Sequence, residues 1–187
     1  MVYNLIEKCR SYSRFDASKS ISRETLIDFV KSARVTASGA NLQKLRYSVF
    51  NKKEDLDRIF DTLKFAGYLT DWKGPEVSER PTGYIVRSSD AELNLLTAID
   101  LGIAAEAIVL TAAEQGIGSC MFRSYGKEIM TKIVNTEGMV PHLVIAFGYP
   151  SETVLLEEAK DAEIKYYRDE KDRHVVPKLP LETLLLN

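Results

Sequence analysis

Cysteine is nearly absent: Cys9 and Cys120 lie far apart without CxxC spacing, so neither a disulfide framework nor a zinc site is supported. Both read as small buried hydrophobes. The two histidines, His142 and His174, have no partner at metal-ligand or triad spacing and read as surface or core residues. No stretch matches GxGxxG or the phosphate loop GxxxxGK followed by Ser or Thr, so a dinucleotide Rossmann site or a P-loop is poorly supported. No Ser stands in GxSxG, which weakens the case for a hydrolase. Excess charge is missing too. A formal net charge of -2 gives no long-range pull toward nucleic acid or anionic lipid, so any anion site has to be local. The N-terminal residues meet charge before they accumulate the apolar run of a signal peptide, and the cytoplasm is the expected compartment. Repeats and low-complexity tracts are lacking.

What the chain does have is one long apolar run at residues 91–115, closed by Gly116. It consists of good helix formers without proline, apolar on nearly every side, which predicts a helix buried all round. Its length approaches a membrane span. Asp100 and Glu106, however, would each cost roughly 3 kcal/mol at a bilayer centre, and neither basic flanks nor aromatic belts bound it. The run is therefore expected to be the central helix of a soluble protein. In so small a chain, 187 residues, a helix buried on every face suggests that a second subunit covers part of it.

Around this helix the patterns alternate. Residues 3–9 form a short amphipathic segment. Ser22 caps a helix whose buried stripe is Leu26, Ile27, Phe29, Val30 and Ala33. It ends in a turn at residues 37–41. Residues 45–50 read as a strand. A third helix opens at residues 51–55, with Leu56, Ile59, Phe60 and Leu63 inward. Residues 67–81 have no period and make a long loop, suited to a lid or a partner-crossing segment. Strands are expected at 82–86 and 117–122, a short helix at 126–134, and at 143–147 a strand covered on both faces. Beyond Pro150 the chain turns polar, with a candidate edge strand at 165–168. Its tail is held extended by Pro177 and Pro180 before a last turn of helix at 181–186. This order predicts an α+β fold, a three-layer α/β/α sandwich in one domain spanning residues 1–187.

The cluster most capable of holding an anion is Arg10-Ser11-Tyr12-Ser13-Arg14, two guanidiniums and two hydroxyls in five positions. By composition alone it reads either as an anion site or as a solvated basic helix end. Taken with other segments, it resembles the Arg-Arg-Ser-x-Arg-Arg-Phe signature of the nitroreductase family of FMN-dependent oxidoreductases, in its short form. Residues 37–43 resemble that family's Pro-Ser-x-x-Asn-x-Gln turn. Asp100-Leu101-Gly102-Ile103-Ala104, leading to Gly116-Ile117-Gly118-Ser119-Cys120, is similar to its central helix and following strand. Gly148-Tyr149-Pro150 is similar to its Gly-Tyr-Pro strand end, and Pro177-Lys178-Leu179-Pro180 to its C-terminal basic motif. The five segments occur in the family's order along nearly the whole chain.

The resemblance implies a nitroreductase-like homodimer that binds FMN. It sets Arg10, Ser11 and Arg14 near the FMN phosphate and ribityl chain, and Ser38, Gly39, Asn41 and Gln43 on the flavin of the other subunit. The backbone at Arg123 and Ser124 would lie beside flavin N5 and O4, and Lys178 on the phosphate. Chemistry would belong to the cofactor: NAD(P)H reduces it, and a nitroaromatic, quinone or similar acceptor takes the electrons from the same face, with no protein nucleophile and no metal. The same fold leaves two other readings open, an FMN-binding protein without turnover and a flavin-fragmenting or dehalogenating enzyme. Three positions depart from the family: Ser13 in place of a basic residue, Leu179 in place of Arg, and Ala37 in place of Pro. The first two remove cations, and Arg173 and Arg80 are the candidates to replace them. Aromatic residues of the stretch 68–72 are candidates to roof the flavin slot.

Overall fold

The computed structural model describes residues 1–90 and 92–186. Its centre is β4 (Val140–Gly148), buried from Pro141 onward, as the apolar run at 143–147 requires. On one side β4 pairs antiparallel with β2 (Gly83–Ser89), and on the other with β3 (Gly118–Phe122). Strand β1 (Arg46–Phe50) adds outside β2, giving the order β1-β2-β4-β3. Side chains alternate across the sheet, so each face collects its own core. Ile85, Ile145 and Phe147 meet α2 (Arg23–Arg34) and α4 (Leu95–Glu114) on one face. Tyr84, Val86, Val144 and Ala146 meet α3 (Lys53–Phe60) and α5 (Lys127–Val134) on the other. The result is the three-layer α+β sandwich expected from the order of elements.

Local signals account for most boundaries. The Ser22 hydroxyl accepts the Thr25 amide at 3.0 Å and starts α2, whose Leu26, Phe29 and Ala33 are buried. Ile27, expected on that stripe, is 39% exposed. In α3, Ile59 is buried and Leu56 and Phe60 are half-buried, as is Leu63, which lies beyond the helix end. The central helix begins later than its apolar run, because Asn94 caps it by accepting the Thr97 amide at 2.9 Å. Ala91, the first residue of that run, lies outside the described residues. Helix α4 is also not buried all round in the single chain. Asp100, Leu101, Ala104, Ala105, Ile108 and Ala112 face the core, whereas Leu95, Leu96, Ile99 and Ile103 stay exposed. The first helix, α1 (Val2–Lys8), has no buried residue and lies along α4.

A second sheet was not legible in the sequence. Strand β7 (His174–Lys178) pairs parallel with β5 (Val154–Glu158) and antiparallel with β6 (Tyr167–Arg168), in the order β5-β7-β6. Pro177 is tolerated within β7 because β6 reaches only His174 and Val175, so no donor is needed on that side. The last helix among the described residues is α6 (Leu181–Leu184), shorter than the turn expected at 181–186 and wholly exposed.

Candidate functional site

The site is built around the stretch that follows α1. Residues 11–16 run as an extended ribbon: the Tyr12 amide donates to Ser119 O at 2.9 Å, Phe15 to Glu79 O at 2.9 Å, and Asp16 to Tyr149 O at 2.8 Å. Phe15 is fully buried over Gly148, where an added Cβ would stand 2.7 Å from the ring. That close approach is the physical reason for glycine in Gly148-Tyr149-Pro150. Anchored this way, the ribbon holds Arg10 and Ser11 against β3.

Two adjoining cavities open there. The first, about 250 Å³, is lined by Arg10, Ser11, Ser119 and Cys120, and by Val176 and Lys178 from β7. Opposite ends of the chain thus bring two cations to one place. The Arg10 guanidinium donates to Ile6 O at 2.5 Å from Nη2, while its buried Nε has no partner. Lys178 makes no ion pair among the described residues. One carboxylate, Glu106 of α4, also lines this cavity and subtracts from its positive charge. The second cavity, about 340 Å³, is a slot that shares Ser11, Cys120, Met121 and Val176 with the first. Its walls are Ser13, Ala66, Gly67, Phe122, Tyr166 and His174, with Lys64, Arg123 and Ser124 also in its lining. A cavity holding two cations and one carboxylate therefore adjoins a slot walled in part by Ala66, Phe122, Tyr166 and Val176. A wider cavity of about 450 Å³ shares Arg10 but no other predicted site residue. We place the site where several of those residues converge.

Five of the ten expected site residues, Arg10, Ser11, Arg123, Ser124 and Lys178, line these two joined cavities. Arg14 does not. Its guanidinium pairs with Asp172 and Glu79 and lies 5.5 Å from the centre of the Trp72 ring. Alternation along the ribbon explains this, since Ser13 turns inward to the slot and Arg14 outward. The turn at Ser38, Gly39, Asn41 and Gln43 also lies apart from both cavities in its own chain. Asp100, 5% exposed, fastens it to α4 by accepting the Ser38 hydroxyl at 2.7 Å and the Gly39 amide at 2.9 Å. This gives the Asp of the central-helix motif a structural role. Ser38 in turn accepts the Gln43 amide at 3.0 Å, and Ala40, Asn41 and Gln43 adopt left-handed backbone conformations.

Comparison with known proteins matches the sequence to the nitroreductase family over residues 6–149. The chain belongs to the nitroreductase family. No curated protein matches it significantly. Among solved structures it resembles a nitroreductase family protein from Streptococcus pneumoniae TIGR4 at 15% identity and TM-score 0.72, covering 100% of both chains. A nitroreductase family protein from Clostridium novyi NT aligns at 19% identity and TM-score 0.66, over 80% of this chain and 86% of that one. An FMN-dependent nitroreductase from Clostridium difficile R20291 aligns at 22% identity and TM-score 0.64, over 87% and 92%. These likenesses establish the nitroreductase fold. The family is one of oxidoreductases and is generally flavin-dependent. The donors present fit such a cofactor at its phosphate, with Arg10 Nε, the Ser11 hydroxyl and Lys178 Nζ around one cavity.

Several residues around this candidate site gave no signal in the sequence. Glu152 is the most consequential: its side chain, 2% exposed, accepts the amides of Ser13 and Arg14 and pairs with Arg168 at 2.6 Å. It fixes the ribbon from behind. His174 is 5% exposed, and burial holds its imidazole below the usual range, so it is neutral at pH 7. Burial pushes the Cys120 thiol up to about 12, which leaves it protonated and unsuited to act as a nucleophile. The two candidate replacement cations are both engaged elsewhere. Arg173 pairs with Asp169 at 2.6 Å, and Arg80 lies 4.0 Å from the Phe60 ring centre. The expected aromatic roof also differs. Trp72 packs beside Arg14 and Arg168, and Tyr68 stands behind Tyr166, which lines the slot itself.

Proposed function

We propose that the protein is an FMN-dependent NAD(P)H oxidoreductase, active as a homodimer in the cytoplasm, that reduces nitroaromatic, quinone or similar small acceptors. The observation that carries this reading is the adjacency of the two cavities, which share Ser11, Cys120, Met121 and Val176: an end with Arg10, Ser11 and Lys178 adjoins a slot walled by Phe122, Tyr166 and Val176. Bound there, FMN would supply two-electron transfer between NAD(P)H and a second substrate. Arg10 and Lys178 would hold the phosphate through charge-assisted hydrogen bonds. The backbone at Arg123 and Ser124 would offer a donor at the reacting edge, and Tyr166 with Val176 would exclude water. Arg14 would serve the site indirectly by tying the ribbon to Asp172 and Trp72.

The exposed stripe Leu95, Leu96, Ile99 and Ile103 on α4 supports the dimer, since isolated chains seldom expose so contiguous an apolar face. A second subunit laid on it would bring its own turn of Ser38, Gly39, Asn41 and Gln43 toward the first subunit's flavin. Purified protein reconstituted with FMN should be yellow, bleach anaerobically with NADH or NADPH, and recover colour when a quinone or nitroaromatic is added. If the two substrates use one face in turn, double-reciprocal plots are parallel. FMN that binds and never bleaches would replace this reading with that of a flavin-binding protein without turnover.

A further inference from the structure

The far rim of the slot carries charge that the phosphate does not need. Leu63 and Tyr125 form an antiparallel bridge, the Lys64 amide donates to Ser124 O at 3.0 Å, and the Gly126 amide to Thr62 O at 3.0 Å. This short pairing sets Lys64 opposite Ser124, one position from Arg123, and both Lys64 and Arg123 line the slot. Neither side chain has a hydrogen-bond or ion-pair partner among the described residues, and the slot lining contains no Asp or Glu. Arg123 also borders a second recess that contains Glu92, but that carboxylate is held by Lys127 at 2.7 Å. On a chain of formal net charge -2, two unpaired cations lining one slot are not a consequence of overall bias.

We propose that this slot selects an electron acceptor bearing a carboxylate or comparable oxyanion, which Lys64 and Arg123 hold at the mouth. The inference rests on the oxidoreductase reading of the site. It adds the substrate class: small anionic aromatics or unsaturated acids in preference to their neutral analogues. A planar guanidinium suits a carboxylate in two-point contact, and the neighbouring ammonium adds a point charge.

The test compares para-nitrobenzoate with para-nitrobenzamide, which differ in charge and hardly in shape. With FMN-loaded protein, equilibrium binding to the oxidised form is followed by flavin absorbance, and reoxidation of the reduced form by stopped flow. The expected result is tighter binding of the acid, with a preference that shrinks as salt is raised. Arg123→Gln and Lys64→Gln should each cut the acid-to-amide ratio about three- to tenfold, and the double variant should bring it to about one. Equal binding of acid and amide by the unaltered protein, or a preference that survives the double variant, overturns the proposal. So does a double variant that slows both acceptors equally, which would assign the cations to the reduced flavin. A parallel arm compares NADPH with NADH. If the double variant alters only that discrimination, the oxyanion belongs to the nucleotide phosphate and the acceptor assignment is wrong. Turnover of the amide without acid preference leaves the oxidoreductase reading standing and removes this one. Failure of NADH and NADPH to bleach the flavin removes the former, and the binding titration still decides the latter.

Discussion

Replacing Glu152 tests whether a buried carboxylate, rather than the ribbon's own sequence, holds the site together. Its side chain is 2% exposed and accepts from three donors: the Ser13 amide, the Arg14 amide at 2.9 Å, and Arg168 Nη2 at 2.6 Å. In Glu152→Ala the Arg168 guanidinium, 13% exposed, loses that partner, and two backbone amides lose their acceptor. Breaking one side of a buried ion pair costs about 3–5 kcal/mol, and each stranded amide about 1–3 kcal/mol if it stays dry. Arg168 retains Asp172, through its carbonyl at 2.9 Å and its carboxylate at 3.5 Å, and the ribbon can reach water. We therefore expect a loss of about 3 kcal/mol for Glu152→Ala. Glu152→Gln keeps an acceptor oxygen for the amides and gives up only the charge, so about 1–2 kcal/mol is expected. Urea unfolding of the FMN-free protein measures both. Because the same amides anchor the segment that carries Arg10 and Ser11, FMN affinity should fall in the alanine variant, and saturating FMN should restore part of its stability. A loss below about 1 kcal/mol for Glu152→Ala would refute the reasoning, since no buried pair of this geometry should be so cheap to break.

Lys178→Ala should weaken FMN about tenfold while riboflavin, which lacks the phosphate, hardly changes; paired fluorescence titrations decide, and equal losses would remove Lys178 from the site. Glu106→Gln in the same cavity should act oppositely and tighten FMN selectively, by about threefold for one partly solvated charge. Gly148→Ala places a Cβ 2.7 Å from the buried Phe15 ring, so thermal unfolding should show a loss of about 1–3 kcal/mol from overpacking. His174 is depressed by burial from 6.5, so the unfolded chain takes up its proton first as the pH falls. The stability conferred by the neutral ring is complete above pH 6.5 and is lost as the pH falls toward the folded value. His174→Phe should accordingly flatten the stability profile on the acid side of pH 6.5, and an unchanged slope there would count against a neutral buried imidazole.

Much of the scaffold was legible because it is written in local periods. The apolar run at 143–147 read as a strand covered on both faces, the Ser22 cap and the stripe behind it defined α2, and the proline-free run of helix formers at 91–115 predicted a long helix. The resemblance carried by the five family segments, each short and local, named the fold, and half of the site residues it implied line the joined cavities. What a period cannot report is which face has an occupant. The exposed side of α4 looks in sequence like its buried side, because Leu95 and Ile99 are as apolar as Leu101 and Ile108.

The rest depended on pairing between distant residues. Strands β5 and β7 are about twenty positions apart and pair in parallel, so neither carries the alternation or turn that marks a hairpin. That pairing delivers Lys178 to Arg10 and His174 to the slot. Glu152 is one acid among 27 acidic residues, and only the folded ribbon shows that its carboxylate faces two amides and a guanidinium at once. Arg10 and Arg14 look equivalent in the sequence. Arg10 precedes the ribbon and turns back on Ile6 at the end of α1, where it lines the cavity, whereas Arg14 sits within the ribbon and pairs with Asp172, and no composition or spacing distinguishes them. Lys64 and Arg123 likewise came to line one slot only through the bridge between Leu63 and Tyr125. Helices and strands follow from interactions a few residues long, whereas the charge and shape of this site arise where segments far apart in the chain are packed against each other.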